Sequence, residues 1–193
     1  MRGNLKLKLT AVALVAIALT LLMPSTLAYY STVGTTTNVV TSGGVEMFIH
    51  ETTDQNTPFP SGGVYVVPGE VVSKRVSIQS NCTHPFYLRV KIVSGVSAQA
   101  LPAEDCFELD IREEYWQLHD GWYYYKGIVN PGELTPYVFS KVGIVGAAVD
   151  NRYLGETLTL SVIAQAVQSE NNPIEGDATY TASGWPSEGE GGV

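Results

Sequence analysis

The sequence predicts an all-β protein: an antiparallel β-sandwich, jelly-roll-like, with at most short helical turns. Three observations predict it. Apolar residues recur with a period of two along most of the chain beyond residue 44. Clusters of Gly, Pro and Asn punctuate these runs at short intervals. No segment after residue 28 carries a helical apolar pattern of about 12 residues or more.

Residues 1–28 stand apart and read as a secretory signal. Arg2, Lys6 and Lys8 form a basic n-region, and Leu9 to Met23 is apolar apart from Thr10 and Thr20. Pro24 and Ser25 break the run, and Thr26 and Ala28 place small residues where a signal peptidase reads. The apolar run is about 15 residues, short of the ~20 that span a bilayer, which argues against an anchor. Cleavage is expected between Ala28 and Tyr29, leaving a protein that works outside the cytoplasm.

The strands follow in order. Val45, Met47 and Ile49 alternate with Glu46, Phe48 and His50. Val72, Val76 and Ile78 share one parity, opposite Ser73, Arg75, Ser77 and Gln79. Phe86, Leu88, Val90 and Ile92 alternate with Tyr87, Arg89 and Lys91, which are expected to face water. Asp120-Gly121 suits a two-residue type I′ hairpin turn. That turn sets Trp116 opposite Tyr125 and Leu118 opposite Tyr123 on one face. Gln117 then opposes Tyr124, and His119 opposes Trp122, on the other. Leu158, Leu160, Val162, Ala164 and Ala166 share one face of a late strand. Short helical turns are expected near 100–107 and 177–183. Residues 29–186 are read as one domain, and the Gly/Glu-rich residues 187–193 as a disordered tail.

Composition narrows the function. Removing 28 of the 193 residues leaves 165, enough for one core, and takes three cations with it, so the formal charge falls from −8 to −11. Such acidity argues against nucleic acid and anionic lipid as partners, with membrane contact only through the uncleaved signal. Cys82 and Cys106 are the two cysteines, and export favours a disulfide between them. It would close a loop of about 25 residues and contribute ~3 kcal/mol in the chain-entropy model.

Catalytic signals are weak. His50-Glu51-Thr52-Thr53-Asp54 approaches the H-E-x-x-H zinc motif, but the fifth position is Asp54 and the segment continues a strand. His50, His84 and His119 are far apart in sequence. The adjacent carboxylates Glu104-Asp105 and Glu113-Glu114 would point to opposite faces of a strand. Asn81-Cys82-Thr83 is a short glycosylation sequon overlapping one of the cysteines. No catalytic, cofactor or metal residue is therefore assigned, and an enzyme is not expected.

Several ordered blocks resemble the TasA/CalY (camelysin) family of exported biofilm-matrix proteins. They are the leader ending Ala28-Tyr29-Tyr30, the block 38–51 with its glycine turn and alternating strand, and Pro68-Gly69-Glu70 followed by 87–91. Asp120 to Lys126 with Pro131 to Thr135, and the closing block 164–172, continue the similarity. The cysteine pair departs from that pattern. The resemblance implies processing by a SipW-type signal peptidase, and a jelly-roll subunit that polymerises with itself, and with other matrix proteins, in the matrix or at the cell surface. It also implies assembly by an N-terminal strand that completes a sheet of the next subunit, with Tyr29, Tyr30, Val33, Thr35, Thr37 and Val39 as the strand's residues.

The residues themselves suit that role, because 29–41 is rich in Tyr, Thr and Val and carries no charged side chain. Docking in the parent domain and docking in a neighbour remain equally open. The family's metalloendopeptidase label supplies one alternative, a secreted zinc protease resting on His50 and Glu51. A surface binding module using exposed Trp122 and Tyr124 is another.

Overall fold

The computed structural model describes residues 30–33, 36–37 and 46–187. Within them the protein is the expected all-β sandwich, and its helical content is three short 3-10 turns, at Glu104–Cys106, Asn151–Tyr153 and Thr179–Thr181. Twelve strands are described: β1 (Tyr30–Val33), β2 (Thr36–Thr37), β3 (Met47–Thr52), β4 (Val64–Val66), β5 (Val71–Ser73), β6 (Arg75–Ser80), β7 (Phe86–Val96), β8 (Phe107–Leu109), β9 (Trp116–His119), β10 (Trp122–Tyr125), β11 (Lys141–Ile144) and β12 (Thr157–Gln168).

The large sheet runs β4-β1-β12-β7-β10-β9, with β2 also on β12. Facing it are the pair β3-β6 and the triplet β5-β11-β8. These two join into one layer: Lys74 and Val76 donate backbone bonds to Ser140 and Phe139, and Thr135 and Val138 return them to Ile78 and Val76. From β3 to β12 the chain passes repeatedly from one layer to the other, which is jelly-roll winding.

The β7–β12 ladder is the spine of the fold, in unbroken antiparallel register from Phe86↔Gln168 to Val96↔Leu158. Its inward parity is the one the alternation marks: Phe86, Leu88 and Val90 on β7, and Leu160, Val162, Ala164 and Ala166 on β12. The two alanines oppose Val90 and Leu88, so small residues face large ones across the ladder. Met47, Ile49, Val76 and Ile78 fill the core from the other layer. The hairpin forms with every expected pairing, Trp116↔Tyr125 through His119↔Trp122. Its turn residues Asp120 and Gly121 both have positive φ, 47° and 76°, as a type I′ turn requires.

Two expectations are corrected. The segment 72–79 is not one strand, because Lys74 falls on the inward parity of Val72, Val76 and Ile78. The strand breaks there, and the buried ammonium is met by Glu51 at 2.9 Å and by the face of Phe59. The outer face of β7 is also not wet. Residues 169–187 fold back across it, burying Tyr87 and Arg89.

Candidate assembly site

β1 sits inside a sheet although it comes from the beginning of the chain. It runs parallel to β12, with Ser31↔Thr157, Thr32↔Leu158 and Val33↔Thr159. On its other side β4 is antiparallel, with Tyr30↔Val66, Ser31↔Tyr65 and Thr32↔Val64. β2 continues along β12 in the same register, Thr36↔Val162 and Thr37↔Ile163. A two-sided backbone slot thus holds the N-terminal segment, with β12 as one wall and β4 as the other.

The slot is built by what lies beside it. Val66 of β4 and Leu158 of β12 are both buried in a second apolar cluster with Cys106, Ile144, Val149 and Tyr153. Both walls thus contribute to one apolar cluster. Tyr153 locks it by donating its hydroxyl to the Pro102 carbonyl at 2.8 Å. The short β4 has β1 as its strand partner, and its central residue Tyr65 is 79% exposed.

The structure places Tyr30 and Val33 in β1 and Thr37 in β2. Tyr29, Thr35 and Val39, the expected cleavage position at Ala28 and the whole of residues 1–28 read as a signal lie outside the described residues. So do residues 188–193. No helix among the described residues is long and apolar enough to cross a membrane.

The expected disulfide is corrected: Cys82 and Cys106 are both free thiols. Each belongs to a different apolar cluster. The Cys82 thiol donates to the Glu46 carbonyl at 2.9 Å and accepts the Glu46 N–H. The Cys106 thiol donates to the Pro102 carbonyl, and burial raises its pKa.

His50 and Glu51 are consecutive strand residues and so point to opposite faces. His50 is exposed, and Glu51 is turned inward to Lys74. Among the described residues no group of three or more His, Cys, Asp or Glu is arranged to hold a metal ion. Asn81 is exposed, and its amide donates to Glu46 at 2.6 Å.

Trp122 and Tyr124 are not an exposed platform; both are buried. They enclose Arg89, whose guanidinium lies 4.1 Å from the Trp122 ring centroid and 4.9 Å from that of Trp185. It donates to Gln165 Oε1 at 2.9 and 2.5 Å, to the Tyr124 hydroxyl at 2.9 Å and to the Pro186 carbonyl at 2.6 Å. The returning segment is pinned further along its length. Thr179 donates to the Tyr125 carbonyl, Tyr180 stacks on His119 at 4.1 Å, and Asn172 ties Gln168 to Ser183. The sequence reading keeps these residues in the domain and expects a short turn near 177–183, where Thr179–Thr181 is a 3-10 turn, but it does not place them over β7, because no alternation marks them. Their signal is the isolated aromatics Tyr180 and Trp185 beyond the last strand.

The fold and slot define a β-sandwich whose first strand is inserted beside its last. Compared with known proteins, the chain matches no family model, no curated protein and no solved structure.

Proposed function

We propose that this chain is a secreted, non-enzymatic structural subunit of extracellular matrix or cell-surface fibres, of the kind the TasA/CalY resemblance implies. Subunits link when the N-terminal segment of one fills the β4–β12 slot of the next. The observation that supports this most is the position of β1. It is a strand from the N-terminal part of the chain, making two backbone ladders in a slot whose two walls contribute to one apolar cluster.

The physics is β-augmentation. Withdrawal of β1 uncovers paired rows of N–H and C=O groups on β12 and β4, and an identical strand from a neighbour restores the same bonds. Because the bonds lost and gained are the same, concentration and the length of chain between β2 and β3 decide the equilibrium. The nine residues 38–46 that join them include Gly43-Gly44, and nine residues span at most ~30 Å. Each subunit gives a strand at one place and receives at another, so the contact is heterologous and propagates.

The signal then controls assembly. With residues 1–28 attached, β1 begins two residues after the signal segment, is held near the membrane and cannot thread into a neighbour.

Electron microscopy of the processed protein, beginning at Tyr29, tests the reading. Filaments are expected, and deletion of 29–41 or blocked cleavage at Ala28 should abolish them. Mature protein that stays monomeric across pH, salt and concentration would contradict it.

A further inference from the structure

At the end of the large sheet opposite β1, the two layers finish side by side. β9 is the last strand of one and β8 the last of the other. A groove of 790 Å³ lies between these edges, walled by Leu109, Asp110 and Ile111 on the β8 side and by Trp116, Gln117 and Leu118 on the β9 side. A second depression of 240 Å³ shares Leu109 and Asp110 and continues over Lys141 and Gly143.

Backbone geometry says what kind of molecule fits. The two-residue turn makes His119↔Trp122 the hydrogen-bonded pair, so Leu118↔Tyr123 is a non-hydrogen-bonded pair. The N–H and C=O of Leu118 therefore point away from β10, out of the sheet edge. Among the described residues, no hydrogen bond engages them. The N–H of Trp116, the other outward residue of β9, is taken by the Arg112 carbonyl, so the open stretch of the edge is at Leu118; an open edge beside a groove is the arrangement that accepts an extended peptide.

Charge says which peptide. Glu113 and Asp177 line the groove, while in its extension Glu108 is matched by Lys141. The local cation Lys126 is engaged with the Glu113 carbonyl at 2.6 Å. Asp110 is engaged by the backbone N–H groups of Ser140 and Lys141 and by the Ser140 hydroxyl. The whole chain is acidic, at −8, so the field at this edge favours cations.

We propose that this flank groove docks an extended lysine- or arginine-bearing segment of another protein, added as a strand to β9 with its cationic side chains at Glu113 and Asp177. The site is at the opposite end of the sheet from the β1 slot, so occupancy of one leaves the other free. It goes beyond the assembly reading and stands without it.

The test uses the full-length mature protein and a synthetic peptide of about six residues, a common strand length, alternating Lys with Val or Thr. Titration calorimetry at low salt should show binding, and amide NMR shifts should centre on Gln117 and Leu118. Glu113→Gln with Asp177→Asn should weaken binding roughly tenfold. The same peptide with alternate backbone nitrogens methylated should lose at least as much, since it keeps the charges but not the edge bonds. That comparison leaves the protein unaltered. A peptide with Glu in place of Lys binding equally well, full binding by the methylated peptide, no binding of the lysine peptide, or shifts produced only by a glucosamine oligomer would each overturn the proposal.

Discussion

Ser31 and Thr157 are paired across two strands that run in the same direction, though one lies near the start of the chain and the other near its end. Parallel neighbours cannot be joined by a tight turn. Here the whole sandwich is the connection. The strand Tyr30–Val33 therefore lies between β4 and β12, outside the run of antiparallel pairings from β12 through β7 and β10 to β9.

A protein lacking residues 29–41 should accordingly fold but be less stable. It loses two short ladders at ~0.5–1.5 kcal/mol per net hydrogen bond. Added synthetic peptide 29–41 should restore the melting temperature in a concentration-dependent way. Differential scanning fluorimetry with and without the peptide checks this.

Arg89 is the buried cation that joins the C-terminal strap to the sheet. Arg89→Ala should destabilise by about 3 kcal/mol, since it removes the aromatic stacking and leaves Gln165 and the Pro186 carbonyl without their donor. Arg89→Lys should recover only part of that, because a single ammonium cannot reproduce the planar fork. Urea melts of the three proteins measure it.

Asp110 sets a pH dependence. Burial alone would raise its pKa, but the Ser140 hydroxyl and the amides of Ser140 and Lys141 outweigh it and hold the carboxyl below its ordinary 3.8. A depressed folded-state pKa contributes stability above the unfolded value, lost as pH falls through the folded one. Asp110→Asn should therefore be less stable than wild type at neutral pH, and the difference should shrink below about pH 4. Urea midpoints between neutral pH and acid follow it.

The two thiols give a direct chemical check. Denatured, unreduced protein should titrate with two thiol equivalents, and reducing agent should leave the melting temperature unchanged. One pairing was possible from composition alone, but composition carries no distances. Cys82 is held by Glu46 beside the main core, whereas Cys106 packs in the cluster beside the β4–β12 slot.

How far the sequence could be read depends on the range of the interaction. Period-two alternation at Met47–Ile49, on β7 and on β12 identifies their inward faces, and Asp120-Gly121 specifies the hairpin register, because both are local. The break at Lys74 was legible only as a charge on an apolar parity; its explanation, Glu51, is on another strand. The fates of Tyr87, Arg89, Trp122 and Tyr124 were not legible, since a strap from residues 169–187 decides them. The uncharged composition of 29–41 marked a strand needing cover, but its parallel partner lies about 126 residues away in the register of β12.

The most direct test of the central claim is a cross-strand disulfide. In mature protein with Cys82 and Cys106 replaced by serine, Ser31→Cys and Thr157→Cys stand at register partners in β1 and β12. Oxidation after assembly, followed by non-reducing gel electrophoresis, should give a ladder of covalently linked subunits. Filaments that yield only internally bridged monomers would contradict strand exchange.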